Sequence, residues 1–179
     1  MLKTKRADLS KLRDDDVRRL YDLMLHAYAV TEIEIWGENY SRMSESEFQS
    51  IIERGELILA ELDGEIVGSI HVYPLTENTY AFGLLSADFD KKGLGIGRAL
   101  ISAAESEAKE MGAEKMSLEI LRPRDFDVPL KTVLRDWYIR LGYAFTETLL
   151  FEERKPDKAE KAKRLKVPTV FDCYEKALN

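Results

Sequence analysis

The sequence has little of what marks several protein classes. Only one cysteine, Cys173, stands among 179 residues. A lone cysteine excludes an internal disulfide and any cysteine-rich zinc site. In a strand-like stretch it reads as a small buried hydrophobe. The two histidines, His26 and His71, show no metal-ligand spacing around them, so no metal is expected and each reads as structural. Positive charge is in deficit: 27 Lys and Arg stand against 33 Asp and Glu, a net charge of −6. That argues against nucleic acid as a partner, because nucleic-acid binders carry a positive footprint. No apolar run approaches the ~20 residues of a membrane span, and the start MLKTKRADLS lacks a signal peptide's apolar stretch. A cytoplasmic protein away from membranes is expected. Repeats and Gly/Ser-rich or Pro-rich linkers are also missing, so residues 1–179 read as one domain.

What is present has regular periodicity. Residues 2–7 read as a strand. Asp14, Asp15 and Asp16 then suit a helix N-terminus, and Val17, Leu20, Tyr21, Met24 and Tyr28 follow at helical spacing, predicting a helix over 14–29. Ser44 with Glu47 is a capping-box signature for a second helix, which Gly55 ends. Leu57–Leu62 and Glu65–Tyr73, joined by Asp63-Gly64, predict a hairpin. Thr79–Ala87 reads as a strand, Arg98–Met111 as a helix, Lys115–Leu121 as a strand, Leu130–Leu141 as a helix and Ala144–Leu150 as a strand. Residues 152–166 carry seven basic and four acidic side chains and read as a solvated loop or short exposed helix. Val170–Ala177 closes the chain as a strand. The order predicts one mixed α/β domain with helices on a mostly antiparallel sheet.

The informative segment follows the fourth predicted strand: Asp88-Phe89-Asp90-Lys91-Lys92-Gly93-Leu94-Gly95-Ile96-Gly97-Arg98. A strand, a glycine-rich turn and a helix start together offer unpaired N–H groups, close backbone approach and the positive end of the helix dipole. Such a turn suits a phosphate or pyrophosphate. A P-loop is excluded, because Arg98 and Ala99 follow Gly97 where Lys and Ser or Thr are needed. A dinucleotide fingerprint G-x-G-x-x-G lacks its last glycine, the place being Arg98 or Leu100 by register. Glu119 on the next strand stands at about the distance of its ribose-binding acid, so a nicotinamide-binding domain stays as a third reading.

The run Lys92-x-x-Gly95-x-Gly97 resembles the [QR]-x-x-G-x-[GA] pyrophosphate loop of the GNAT family of N-acetyltransferases, with Lys92 in place of Gln or Arg. Trp137-Tyr138-Ile139-Arg140-Leu141-Gly142-Tyr143 resembles that family's [FW]-Y-x-x-x-G-[FY] segment and follows in the right order. The resemblance is clearest from Tyr80 to Leu150. It implies the GNAT fold: a mostly antiparallel seven-stranded sheet, about four helices, and a splay between strands 4 and 5. It implies acetyl-CoA as cosubstrate. Leu85, Ser86 and Ala87 would hold its pantetheine, and Lys92, Gly93, Leu94, Gly95, Ile96, Gly97 and Arg98 its pyrophosphate. Family members often form dimers, so a homodimer is the oligomer it implies.

The implied reaction is acetyl transfer to a primary amine, on a small molecule or a peptide, by direct attack. The attacking nitrogen must shed a proton, the oxyanion needs an aimed N–H donor, and the thiolate must be met by a donor. A strand kink near Leu85–Ala87 could supply the N–H. Tyr138 matches the family's general-acid tyrosine. The family often places a Glu early in strand 4, but Thr79-Tyr80-Ala81-Phe82 has none. Glu119 is the substitute base, or else a charged strand residue in an ion pair, and Glu77 is a weaker candidate. Residues 28–40 correspond to the family's acceptor-lining connection. There Glu34 and Trp36, with Glu32 and Glu38, suit a cationic amine by charge and cation–π attraction. The other reading of that stretch is a polar loop around a packed tryptophan. The alternative function is a non-catalytic acyl-CoA-binding or sensor domain.

Overall fold

In the computed structural model, which describes residues 1–179, the elements run β1 (Leu2–Arg6), α1 (Asp14–Thr31), α2 (Ile33–Trp36), α3 (Glu45–Glu53), β2 (Leu57–Leu62), β3 (Glu65–Pro74), β4 (Thr79–Ala87), α4 (Ile96–Glu110), β5 (Lys115–Pro123), α5 (Pro129–Arg140), β6 (Ala144–Leu150), α6 (Phe151–Arg154), α7 (Ala159–Ala162) and β7 (Thr169–Ala177). Seven strands and four longer helices are those the sequence predicts, and the sheet is open. The single turns α2, α6 and α7 were not individually foreseen. Two compact units divide the chain: Met1–Ala27, Ser41–Met116 and Leu178–Asn179 form the first, Tyr28–Tyr40 and Ser117–Ala177 the second.

In the first unit, β1, β2, β3 and β4 lie side by side, each antiparallel to the next. Asp63 and Gly64 both take positive φ, +52° and +88°, as a two-residue hairpin turn of matching twist requires. The α3 capping box forms as expected: the Glu47 N–H donates to Ser44 Oγ at 3.2 Å, and the Ser44 N–H donates to Glu47 Oε2 at 2.7 Å. At its other end the Gly55 N–H donates to Ile52 O and the Glu56 N–H to Ile51 O, a Schellman cap. Helix α4 crosses the strands so closely that a Cβ on Gly68 would meet Ile96 and Leu100 side chains at 3.0 and 3.2 Å. Leu20, Met24, Phe48, Leu57, Leu59, Val67, Ile70 and Leu100 fill this core.

In the second unit the strand order is β5-β7-β6, with β6 antiparallel to β7. Ile35, Trp36, Leu121, Phe151 and Phe171 form its core cluster, with Tyr40, Ala162 and Leu165 packed against it. The charge-dense stretch 152–166 is therefore not wholly solvated. Most of its charges are exposed, but Arg154 and Lys155 bind Glu119, and Ala162 and Leu165 pack against the core cluster. Arg122 donates to Asp172 from Nε and Nη2, at 2.5 and 3.1 Å, and Thr148 Oγ1 donates to the same carboxylate at 2.7 Å. One side chain each from β5, β6 and β7 thus meets in one polar network.

Candidate active site

Two features of the first unit bear on chemistry. The first is an irregularity in β4. Ser69 faces Ser86 and His71 faces Gly83, so two residues of β4, Leu84 and Leu85, oppose Ile70 alone. Leu84 takes φ +49°. This is a β-bulge, which re-aims backbone groups and is over-represented beside active sites. The kink expected near Leu85–Ala87 is present, one residue earlier. Below it Ser69 Oγ and Ser86 Oγ lie 3.3 Å apart, both buried.

The second is the glycine turn. Asp88 anchors its start: its N–H donates to Val67 O, its Oδ1 accepts from the Asp90 N–H at 3.0 Å, and its Oδ2 accepts from Arg19 at 2.6 Å. Gly93 and Gly95 follow at φ +79° and +76°, with nothing within 4 Å of where a Cβ would stand on either. Helix α4 begins two residues earlier than predicted, because the left-handed Gly95 is itself the N-cap. Gly95 has no side chain to satisfy the first-turn amides, and its carbonyl takes the first helical bond, from the Ala99 N–H at 2.9 Å. Lys92 and Arg98 are exposed beside these amides and pair with no carboxylate, while Lys92 Nζ sits 5.5 Å from the Phe89 ring centroid. Lys91 is instead tied to Glu65 at 3.1 Å.

Beside the bulge, His71 Nε2 lies 2.8 Å from Glu56 Oε2, which also accepts from Arg54 Nε at 3.1 Å. Burial of His71 pulls its pKa below the usual imidazole value, an effect Glu56 offsets only in part. Burial would raise the Glu56 carboxyl, but Arg54 and His71 outweigh it and hold the group below the usual range. This pair was missed in the sequence, where His71 read as structural.

In the second unit, Tyr138 lies near the C-terminus of α5, 5% exposed. The motif around it is a helix ending. The Gly142 N–H donates to Ile139 O and the Tyr143 N–H to Tyr138 O, again a Schellman cap, with Gly142 at φ +98°. The Tyr138 and Tyr143 rings meet edge to face at 6.1 Å. Burial, with Tyr28 adding to it, pushes the Tyr138 hydroxyl far above the ordinary phenol range, which favours its protonated form.

The other expected residues are placed differently. Glu119 accepts from Arg154 Nε at 2.6 Å and lies 2.7 Å from Lys155 Nζ. Burial would raise its carboxyl, but Lys155 and then Arg154 hold it low, which weakens it as a base. Trp36 is buried in the core cluster, stacked on Tyr40 at 4.4 Å, and Lys161 Nζ sits 5.6 Å from its ring. A cation of the chain itself covers the indole expected to take a substrate's cation. Glu34 and Glu38 are exposed. Glu32 is buried and bound to Lys131 at 3.0 Å, so its charge is already compensated.

Comparison with known proteins agrees with this fold. The model of the Acetyltransferase (GNAT) family matches residues 17–129, and the chain belongs to that family. It is an acetyl-CoA-dependent N-acetyltransferase by family. No curated protein matches the sequence. Among solved structures, an aminoglycoside 6′-N-acetyltransferase complexed with coenzyme A is similar at 17% identity, with TM-score 0.71 and coverage of 99% of this chain and 97% of that one. A GNAT acetyltransferase from Elizabethkingia anophelis with acetyl-CoA bound is similar at 17% identity, TM-score 0.66, covering 99% and 98%. A ribosomal-protein-alanine N-acetyltransferase from Brucella melitensis is similar at 16% identity, TM-score 0.65, covering 98% and 99%. At these identities the likeness is one of fold.

Proposed function

We propose that residues 1–179 work as one catalytic domain that moves the acetyl group of acetyl-CoA to a primary amine of a small molecule or peptide. The observation that carries this is the glycine turn, with its open approach at Gly93 and Gly95, its uncapped helix start and its two unpaired cations. Those residues fit a pyrophosphate: Ile96, Gly97 and Arg98 offer backbone amides, and Lys92 and Arg98 offer charge. The neighbouring bulge at Leu84–Leu85, with Ser86 and Ala87, fits the pantetheine arm and puts a re-aimed amide where an oxyanion would need one. Acetyl-CoA, when bound, supplies the activated acyl carbon.

Tyr138 acts as the donor to the sulfur that leaves. Its raised pKa suits a hydrogen bond to a thiolate better than complete proton transfer, since a thiol's ordinary pKa is ~8.5. Glu119, held by two cations, anchors α6 rather than serving as base. The acceptor is not drawn by Trp36, because the indole is covered and packed; Glu34 stays exposed and open to it.

Thermal unfolding with acetyl-CoA, NAD and ATP in parallel tests the reading. Acetyl-CoA at ~100 times its dissociation constant should add ~2.7 kcal/mol of stability, a rise of roughly 5–10 °C in melting temperature. No rise with acetyl-CoA, or a larger one with NAD, would overturn it. A rise without transfer to any amine would leave the non-catalytic acyl-CoA-binding alternative.

A further inference from the structure

We propose that His71, oriented by Glu56, is the general base for the acceptor amine, and that the open space over Gly83 is where a primary amine stands. The inference rests on the acetyltransferase reading above.

Four observations carry it. His71 on β3 faces Gly83 on β4 in register, one residue before the bulge that fits the thioester. Directly paired residues on neighbouring strands share a face, ~4.5–5.5 Å apart. Next, no atom from beyond the neighbouring residues comes within 4 Å of where a Gly83 side chain would begin. Gly83 therefore leaves room beside the imidazole, on the strand that lacks a carboxylate. Third, Glu56 is fixed from two directions, since its N–H closes the α3 cap on Ile51 O and its carbonyl accepts from the Val72 N–H at 2.8 Å. Fourth, a carboxylate only accepts, so Nε2 of His71 carries the proton and Nδ1 holds the lone pair.

The charged and titratable groups around His71 are Glu56 and Arg54, from the α3–β2 connection, and Tyr73, whose ring lies 4.6 Å away on its own strand. Strand β4 contributes none there. Burial keeps the imidazole neutral near pH 7, the form a base needs.

The step balances as follows. The uncharged amine nitrogen forms a bond to the acyl carbon and gains positive charge. Nδ1 of His71 takes a proton from that nitrogen. The C–S bond breaks with its electron pair on sulfur, giving an amide and a thiolate. The imidazolium then returns its proton to the thiolate or to solvent. His71 is the catalytic residue here, and Glu56 is a positioning residue.

The test uses the full chain with acetyl-CoA and four probe amines: n-butylamine, spermidine, glucosamine and an unblocked tripeptide. His71→Gln should lower kcat at least ~100-fold, with the acetyl-CoA melting shift kept. Imidazole should partly restore His71→Ala. Glu56→Gln should move the acid limb of the pH profile to lower pH, because the carboxylate raises the imidazole's pKa, and Glu56→Asp should restore part of that shift. In the wild type, free of any folding defect, the His71 ring resonance should move when the amine joins protein holding coenzyme A. Wild-type rates and an unchanged profile in His71→Gln, or an unmoved resonance, would overturn the inference and leave the proposed function standing. Acetyl-CoA binding without transfer to any probe would overturn it too, leaving only acyl-CoA binding. No acetyl-CoA binding at all would remove the proposed function itself.

Discussion

Lys131 donates to Glu32 at 3.0 Å across 99 residues of sequence, with side-chain exposures of only 8% and 3%. Lys131 and Tyr138 are the two buried residues of α5, two turns apart on one face. The ion pair therefore seats the face that presents the tyrosine. Taking away one charge leaves the other buried and uncompensated, which costs about 3–5 kcal/mol. Urea unfolding should show Lys131→Met destabilised by that amount. The double variant Lys131→Met with Glu32→Leu should recover most of it, because an apolar pair carries no desolvation penalty.

The glycine turn makes a second prediction. Gly93 and Gly95 have room for a methyl group but not the backbone for one. Alanine at either place should cost about 1–2 kcal/mol of stability from φ alone. The melting shift given by acetyl-CoA should fall in the same variants, because a Cβ would stand in the approach to the amides. Lys92→Ala and Arg98→Ala should weaken binding about tenfold each and lessen its salt dependence, with little change in the melting temperature of the free protein.

Tyr138→Phe separates a donor role from the packing of a helix end. Phenylalanine keeps the ring contact with Tyr143 and loses only the hydroxyl. A fall of about 100-fold in kcat, with KM for acetyl-CoA nearly unchanged, is expected. Because burial holds the hydroxyl's pKa far above the phenol range, the alkaline limb of the wild-type pH–rate profile should not disappear in this variant.

His71 also governs how stability responds to acid. Its folded pKa lies below the ordinary imidazole value. Below pH ~6.5 the unfolded chain therefore binds more protons there than the folded one. Stability contributed by the neutral ring is complete above that pH and is lost as pH falls toward the folded pKa. Melting temperatures from pH 8 to 5 should decline less steeply in His71→Gln than in the wild type. Glu56, held low, contributes stability that is complete above the ordinary carboxyl value and is lost as pH falls from there toward its lower folded pKa.

The elements were legible where local chemistry decides them. The capping box at Ser44, the turn at Asp63-Gly64 and the glycine turn before α4 each depend on a few adjacent residues, and each formed where expected. The bulge at Leu84–Leu85 was visible only as a need of the chemistry, since a register shift leaves no mark in composition. Trp36 and Glu119 were read from residue type and neighbourhood in sequence. Their surroundings are set by residues far along the chain: Phe151 and Lys161 for one, Arg154 and Lys155 for the other. The His71–Glu56 pair was not legible in the same way. Counting outward from the turn at Asp63-Gly64 would set Glu56 opposite His71, but the bulge between Ala60 and Glu61 shifts the register by one and sets Leu57 there, so the contact depends on side-chain reach rather than on strand pairing.

The packing of Trp36 has an optical consequence. The chain has two tryptophans, Trp36 and Trp137, and both belong to the second unit. Intrinsic emission excited above the tyrosine band therefore reports on that unit alone. Trp36, buried and stacked on Tyr40, should emit toward the blue and resist an aqueous quencher, while the half-buried Trp137 should quench first. An unfolding curve followed by this emission and one followed by backbone dichroism would coincide only if both units melt together.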